Sequence, residues 1–301
     1  MVTWIPITIA GALLQCWRTA LQQKLRHQLS VSAAGFVRFL YGAPAALLIF
    51  LAGLAISGAA VPMPNVAFVL YCVAGGLFQI LATNLLIMSF GYRNFAVGTA
   101  YGKTEAAQSA MIALIVLHEV LKPLSWAGIA LGLSGVITLS LAGRGLKPRD
   151  LLAATVQPAA LCGLGAGFLF ACTTVFIKLA NQSIPSPDLV IKALFAVVLT
   201  NTLQILMQGG WLLWREPAEL RKTFTTWRSS MWAGTLSACG SACWFTGFAL
   251  ANVALVRSVG QIEIVFTLLF SRFYLREQLK RSDTAGLILI VAGVLLIVLG
   301  H

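Results

Sequence analysis

The stretch 98–122, GTAYGKTEAAQSAMIALIVLHEVLK, decides the fold when it is set beside 256–280, VRSVGQIEIVFTLLFSRFYLREQLK. A shift of 158 positions lays Gly102 on Gly260, Glu105 on Glu263, Leu117 on Leu275 and Glu119 on Glu277, with Leu121 and Lys122 on Leu279 and Lys280. The same shift carries Ala127–Gly128 to Ala285–Gly286 and Gly135–Val136 to Gly293–Val294 without a gap. This is an internal repeat, and a repeat fixes architecture before any local pattern does. Both copies place a carboxylate inside an apolar run of helix length.

Composition sets the solvent of that run. The 301 residues are 59% hydrophobic and 10% charged, with mean hydropathy +0.88, whereas a soluble domain carries about 25% charged residues. The chain is therefore read as an all-α membrane protein. Its net charge of +12 comes from cations spread between apolar runs. A nucleic-acid footprint needs them clustered on one face, so nucleic acid is excluded as a partner and lipid takes its place. Six cysteines, at 16, 72, 162, 172, 239 and 243, all lie in apolar runs with no zinc spacing. They read as small buried hydrophobes, and no metal site is expected.

A membrane span needs about 20 mainly apolar residues. Ten stretches meet this: 4–22, 33–56, 65–88, 95–117, 124–142, 158–180, 189–213, 230–250, 254–274 and 284–300. The first is expected to be a retained span rather than a signal peptide. Most connectors are short and carry Pro or Gly, while 143–157 and 214–229 are longer and charged. The organisation expected is a five-helix repeat over 1–142, a linker over 143–157 and a second repeat over 158–301. An odd number of spans per repeat forces opposite orientations, giving ten transmembrane helices in two inverted-topology repeats, an arrangement typical of secondary transporters. Lys24 and Lys178, and Arg38 and Lys192, each 154 apart, extend the correspondence to the earlier spans. Loop cations favour odd-numbered loops in the cytoplasm and both termini outside.

Ionisable groups inside spans are costly and mark interior or functional positions. Here they are Arg18, Arg38, Lys103, Glu105, Lys192, Arg257, Glu263 and Arg272, with structural roles expected for Arg38 and Lys192. On an unbroken fourth helix, Gly98, Tyr101, Gly102, Glu105, Gln108 and Ser109 share one face and Thr99, Lys103 and Ala107 the other. On the ninth, Val259, Gly260, Glu263 and Thr267 lie opposite Arg257, Gln261 and Val265. Glu105 and Glu263 then either line the path and bind a cation or proton, or serve as interior polar pins bonded to a cation such as Lys103 or Arg38. Gln15 and Arg18 of the first span have the same two readings. Lys103 and Gln261 occupy matching places with different chemistry, which suits a site diverged to hold an asymmetric ligand. Substrate contacts are expected at Gln79, Thr83, Tyr101, Lys103, Trp244 and Gln261. Trp17 and Trp244 lie inside spans and are candidates to stack on a ligand. Trp4, Trp126, Trp211, Trp214, Trp227 and Trp232 lie near span ends, as an interfacial belt does.

Enzyme motifs are missing: there is no G-x-x-x-x-G-K-[ST], and His118–Glu119 begins H-E-x-x-H but meets Lys122. No catalytic residue and no cofactor are expected. The paired repeats, each ending in A…G…E…L…L-x-E-x-L…G…G, resemble the EamA-type transporters of the drug/metabolite transporter superfamily. The resemblance runs over Gly75–Gly143 and Gly234–Gly300, including Glu119 with Leu121 and Glu277 with Leu279. It implies a multi-pass membrane protein that moves small metabolites, and the location expected is a bacterial inner membrane, with a monomer as the expected state. In general layout the chain is similar to the aromatic amino-acid exporter branch, so the expected activity is export of amino acids by alternating access. The alternative is proton-coupled export of cationic drugs. The family often places a proline beside the mid-helix glutamate, where this chain has Ala106 and Ile264, and this puts a kink there in question.

Overall fold

A computed structural model describes residues 3–89, 101–142, 158–186, 188–266 and 281–300. The linker 143–157, Gly98, Thr99, Thr267, Arg272 and Glu277 lie outside the described residues. Every element among those described is helical: α1 (Trp4–Leu25), α2 (Val31–Leu40), α3 (Gly42–Ser57), α4 (Val66–Ser89), α5 (Glu105–Val116), α6 (Pro123–Ala142), α7 (Pro158–Ser183), α8 (Leu189–Arg215), α9 (Pro217–Thr225), α10 (Trp227–Leu250), α11 (Val253–Val259) and α12 (Arg281–Leu299). A 3-10 turn, Gly260–Ile262, follows α11.

The helix starts follow from side chains that satisfy the free N–H groups of a first turn. Ser30 accepts from Ala33 before α2, Asn65 from Phe68 before α4, and Asp188 from Val190 and Ile191 before α8. Proline opens α6, α7 and α9, where its missing N–H is no loss. Gly58 takes φ +64° to end α3. His118 adopts φ +54° just past α5, an unusual left-handed residue that turns the chain sharply before Glu119.

Four helical stretches, Val31–Ser57, Val66–Ser89, Ala160–Ser183 and Leu189–Arg215, are long and apolar enough to cross a membrane. Leu48, Ile56, Val66, Ile115, Leu213 and Leu299 face outward, which suits lipid and not water. The chain is a multi-pass membrane protein.

The most extensive contacts are α6 with α12, α4 with α7, and α1 with α10. Let α7, α8, α10, α11 and α12 be the counterparts of α1, α2–α3, α4, α5 and α6. Exchanging counterparts then maps α4·α7 onto α10·α1, α5·α7 onto α11·α1, and α6·α12 and α2·α8 onto themselves. Glycines give the directions. A β-carbon at Gly128 would sit 2.7 Å from the Gly293 carbonyl oxygen, and one at Gly293 the same distance from the Gly128 oxygen. Seven residues along, a β-carbon at Gly135 would lie 2.8 Å from the Gly286 oxygen. Rising numbers on α6 meet falling numbers on α12, so the pair is antiparallel, with backbones close enough to require small residues. This accounts for the Ala-Gly and Gly-Val pairs repeated in the sequence.

Three expectations change. The second span is two helices, broken at Tyr41. The fourth and ninth spans are also interrupted, in the same register. Residues 103–104 form a turn, closed by the Thr104 N–H on Tyr101 O at 3.1 Å, immediately before α5. Gly260–Ile262 form the 3-10 turn immediately before Glu263. A break of this kind tightens the winding and shifts every residue beyond it around the axis. The two-face assignment made for unbroken helices therefore fails, and each interruption occurs without a proline beside the glutamate. Finally, Trp17 is more than half exposed on the outer surface, whereas Trp4 is buried against other helices and does not face outward as a belt residue would.

Candidate functional site

The two interrupted segments meet in the interior. A narrow cleft, open at its mouth, is lined by Gln15 of α1, Lys103, Glu105 and Ala106 around the start of α5, Trp244 of α10, and Arg257, Gly260, Gln261 and Glu263 around the second break. Lys103 and Glu105, assigned to opposite faces from the sequence, border it together, as do Gln261 and Glu263. The turn between each pair is the reason.

The charges pair across the two halves. Lys103 Nζ lies 2.9 Å from Glu263 Oε2, which also accepts from Gln15 Nε2 at 3.0 Å. Arg257 Nη1 lies 2.8 Å from Glu105 Oε1, a charge contact rather than an aligned hydrogen bond. Each glutamate is thus neutralised by a cation from the other half. Of the two cations expected as partners for the glutamates, Lys103 serves Glu263, while Arg38 is bonded to Ser237 and Thr83. The Arg257 guanidinium also lies 4.7 Å from the Trp244 ring centroid and 5.1 Å from that of Phe248, a geometry worth about 2 kcal/mol when desolvated. Trp244 stacks on Phe248 at 6.0 Å. A β-carbon at Gly260 would collide with the Trp244 ring, so this glycine admits the indole. Arg18, also buried, lies one turn beyond Gln15 on the same face of α1 and feels the charges of Glu263, Arg257 and Glu105.

The segment bearing Arg257, Gln261 and Glu263 is held at its start. Lys178 Nζ donates to the carbonyls of Phe248 and Ala251, at 2.6 and 2.8 Å, closing the end of α10. Glu119 Oε2 accepts the Val253 N–H at 2.8 Å and so meets the positive end of α11. Lys178 and Glu119 are 3.8 Å apart. The left-handed turn at His118 delivers Glu119 to this position, which gives the H-E pair a structural role in place of a zinc motif.

Of the residues expected to contact substrate, Lys103, Trp244 and Gln261 come together, with Gln15, Glu105 and Glu263 beside them. Gln79, Thr83 and Tyr101 do not line this cavity. Gln79 accepts from Gln204 of α8 at 2.7 Å, and Thr83 accepts from Arg38 Nη1 at 2.9 Å. Arg38 Nε also donates to Ser237 Oγ at 3.0 Å, so it ties α2, α4 and α10 in the structural role expected of it. Tyr101 packs against Ala160. Arg257 reads from the sequence as an intramembrane charge at a span end, which hides its place in the site. Lys178 reads only as a repeat partner of Lys24, although a lysine within a span is the signal that finds it.

Residues 157–299 match the EamA-like transporter family. No curated protein matches the chain. A solved structure titled "Crystal structure of protein" is similar to 98% of this chain and over 97% of its own, at 17% identity and TM-score 0.71. At that identity the likeness is one of fold alone.

Proposed function

From the match of residues 157–299 to the EamA-like transporter family, we propose that this chain is a transporter of that family, an exporter of small metabolites, most of all neutral or aromatic amino acids, across a bacterial inner membrane. It works as a monomer by alternating access, with two inverted five-helix repeats moving about the central cavity and no cofactor or catalytic step. One observation carries the reading: helices of both halves are interrupted at matching positions, and their charged side chains converge with Trp244 of α10 on one cavity. Broken helices around a central site are how secondary transporters expose polar groups to a solute. The exchange symmetry of the helix contacts and the antiparallel α6–α12 pair support the inverted repeat. Trp244 offers an aromatic wall, and Lys103, Gln261 and Gln15 offer polar groups.

The rival reading, proton-coupled export of cationic drugs, needs a carboxylate free to exchange its partner. Glu105 is sealed against Arg257, whereas Lys103, opposite Glu263, is about one-quarter exposed. If coupling to protons exists, Glu263 is its carrier. Counterflow of labelled amino acids into proteoliposomes, with and without a pH gradient, separates the readings. Amino-acid flux without a gradient supports the first. Flux of a cationic drug alone, and only with a gradient, replaces it. Gln261→Ala should slow amino-acid flux severalfold while leaving the melting temperature of the protein unchanged.

A further inference from the structure

The cavity has a sign. Among the described residues, two lining cations, Lys103 and Arg257, face the two lining carboxylates, Glu105 and Glu263, and buried Arg18, behind the lining, adds a third positive charge to the cluster. Lys103 and Arg257 are each matched with a glutamate, which leaves the charge of Arg18 in excess. The unpartnered groups carry the same message. Trp244 Nε1 and Gln261 Nε2 line the cavity, belong to residues more than nine-tenths buried, and have no hydrogen-bond acceptor. Arg257 Nε and Arg18 Nε are buried donors in the same condition. The Glu105 oxygen in this region that lacks an aligned hydrogen bond is already held by Arg257 at 2.8 Å. Buried donors left without acceptors carry a desolvation penalty that a ligand's oxygens would remove.

We propose that the cavity binds a carboxylate monoanion, with its oxygens accepting from Trp244 Nε1 and Gln261 Nε2 and the excess charge of Arg18 as its counter-charge. This rests on the reading of the cavity as the solute site and deepens it: recognition falls on the acidic end of the solute, not on an ammonium group. A protonated amine would meet two carboxylates that already have partners and would add a fourth cation to the cluster. Divergence between the halves produces the site, since Gln261 is the amide that replaces a lysine at the matching position, and a second lysine there would be drawn to the glutamates.

The test uses the full-length protein in detergent, with unfolding followed by tryptophan fluorescence in a constant chloride background. The probes are 3-phenylpropionate, benzoate, phenethylammonium and benzyl alcohol. The two carboxylates should raise the melting temperature saturably, with 3-phenylpropionate binding at least about tenfold more tightly than phenethylammonium, as charge-assisted hydrogen bonds require. Gln261→Glu should erase the carboxylate effect by removing the donor and cancelling the excess charge. The proposal is overturned if neither carboxylate binds, if phenethylammonium binds as tightly as 3-phenylpropionate, or if raising chloride alone reproduces the shift. The wild-type probe series decides even where the variant does not fold. Amino-acid counterflow remains a separate readout. Flux without carboxylate preference sinks this inference alone, and carboxylate binding without amino-acid flux sinks the amino-acid reading alone.

Discussion

Replacing Glu105 by Gln removes one charge from the drier of the two ion pairs and keeps the side-chain volume. Arg257, about 10% exposed, then holds an unmatched charge. Breaking a buried pair from one side costs about 3–5 kcal/mol. The rings of Trp244 and Phe248 stay beside the guanidinium and hold the loss to the lower end, about 3 kcal/mol. Glu263→Gln removes the other carboxylate, but Lys103 is 24% exposed and can turn toward water. That variant should lose about 1–2 kcal/mol, nearer the value of a partly solvated pair. Arg257→Met should also be costly, since it strands Glu105. Combined with Glu105→Gln it leaves no unmatched charge and should be less damaging than either change alone, the non-additivity expected of contacting residues. Thermal unfolding in detergent measures the set, with Glu105→Gln lowering the melting temperature by about 6 °C or more. Equal losses for Glu105→Gln and Glu263→Gln, or an additive double variant, would refute the assignment of Glu105 to a sealed pair.

Gly260→Ala should destabilise by about 1–3 kcal/mol, because the new methyl displaces the Trp244 ring, and it should shift the tryptophan emission maximum. Lys178→Met should cost about 2–3 kcal/mol by uncapping Phe248 O and Ala251 O and stranding Glu119; it should also reduce counterflow by loosening α11, which hydrogen exchange at 253–259 would register. Glu219, on the surface helix α9, accepts from Lys222 Nζ and from the Ser30 N–H, and these hold its carboxyl below its ordinary value of 4.5. A depressed carboxylate stabilises the fold above its ordinary value, and that contribution is lost as pH falls through the lower, folded one. Melts between pH 7 and 3 should therefore show an acid limb that is shallower in Glu219→Gln below about pH 4.5.

Much of the fold was legible because the bilayer punishes exceptions. Apolar runs long enough to span, and breakers between them, located the ends of α4, α6, α8 and α12 within a few residues. The 158-residue shift marked the glycines of α6 and α12 as repeated, but not that Gly128 would meet Gly293 and Gly135 would meet Gly286. The interruptions were not legible, because hydrophobicity is indifferent to local winding. Tyr101–Gly102–Lys103–Thr104 and Val259–Gly260–Gln261–Ile262 read as good interior helix, and only the tertiary setting, with Trp244 pressed against Gly260, favours a tighter turn. That omission misdirected the rest. Faces assigned on unbroken helices separate Lys103 from Glu105, and a place at a span end hides Arg257 as the partner of Glu105. Gln79 and Thr83 were attractive as polar residues in an apolar helix, yet Gln204 and Arg38 claim them, which is the commoner fate of such side chains in membranes.

The glycine contacts of α6 and α12 also have a mechanical meaning. At Gly128–Gly293 and Gly135–Gly286 backbone rests on backbone, seven residues apart on each helix, like two teeth in two notches. A slide of one residue, 1.5 Å along the axis, would drive the β-carbons of Ala127 or Ile129 toward a main chain that leaves them no space. On the proposed alternating-access reading, the two helices are expected to travel as one body. Spin labels placed on the outward faces of α6 and α12 should then report one separation with and without solute, and any displacement of α5 and α11 can be measured against it.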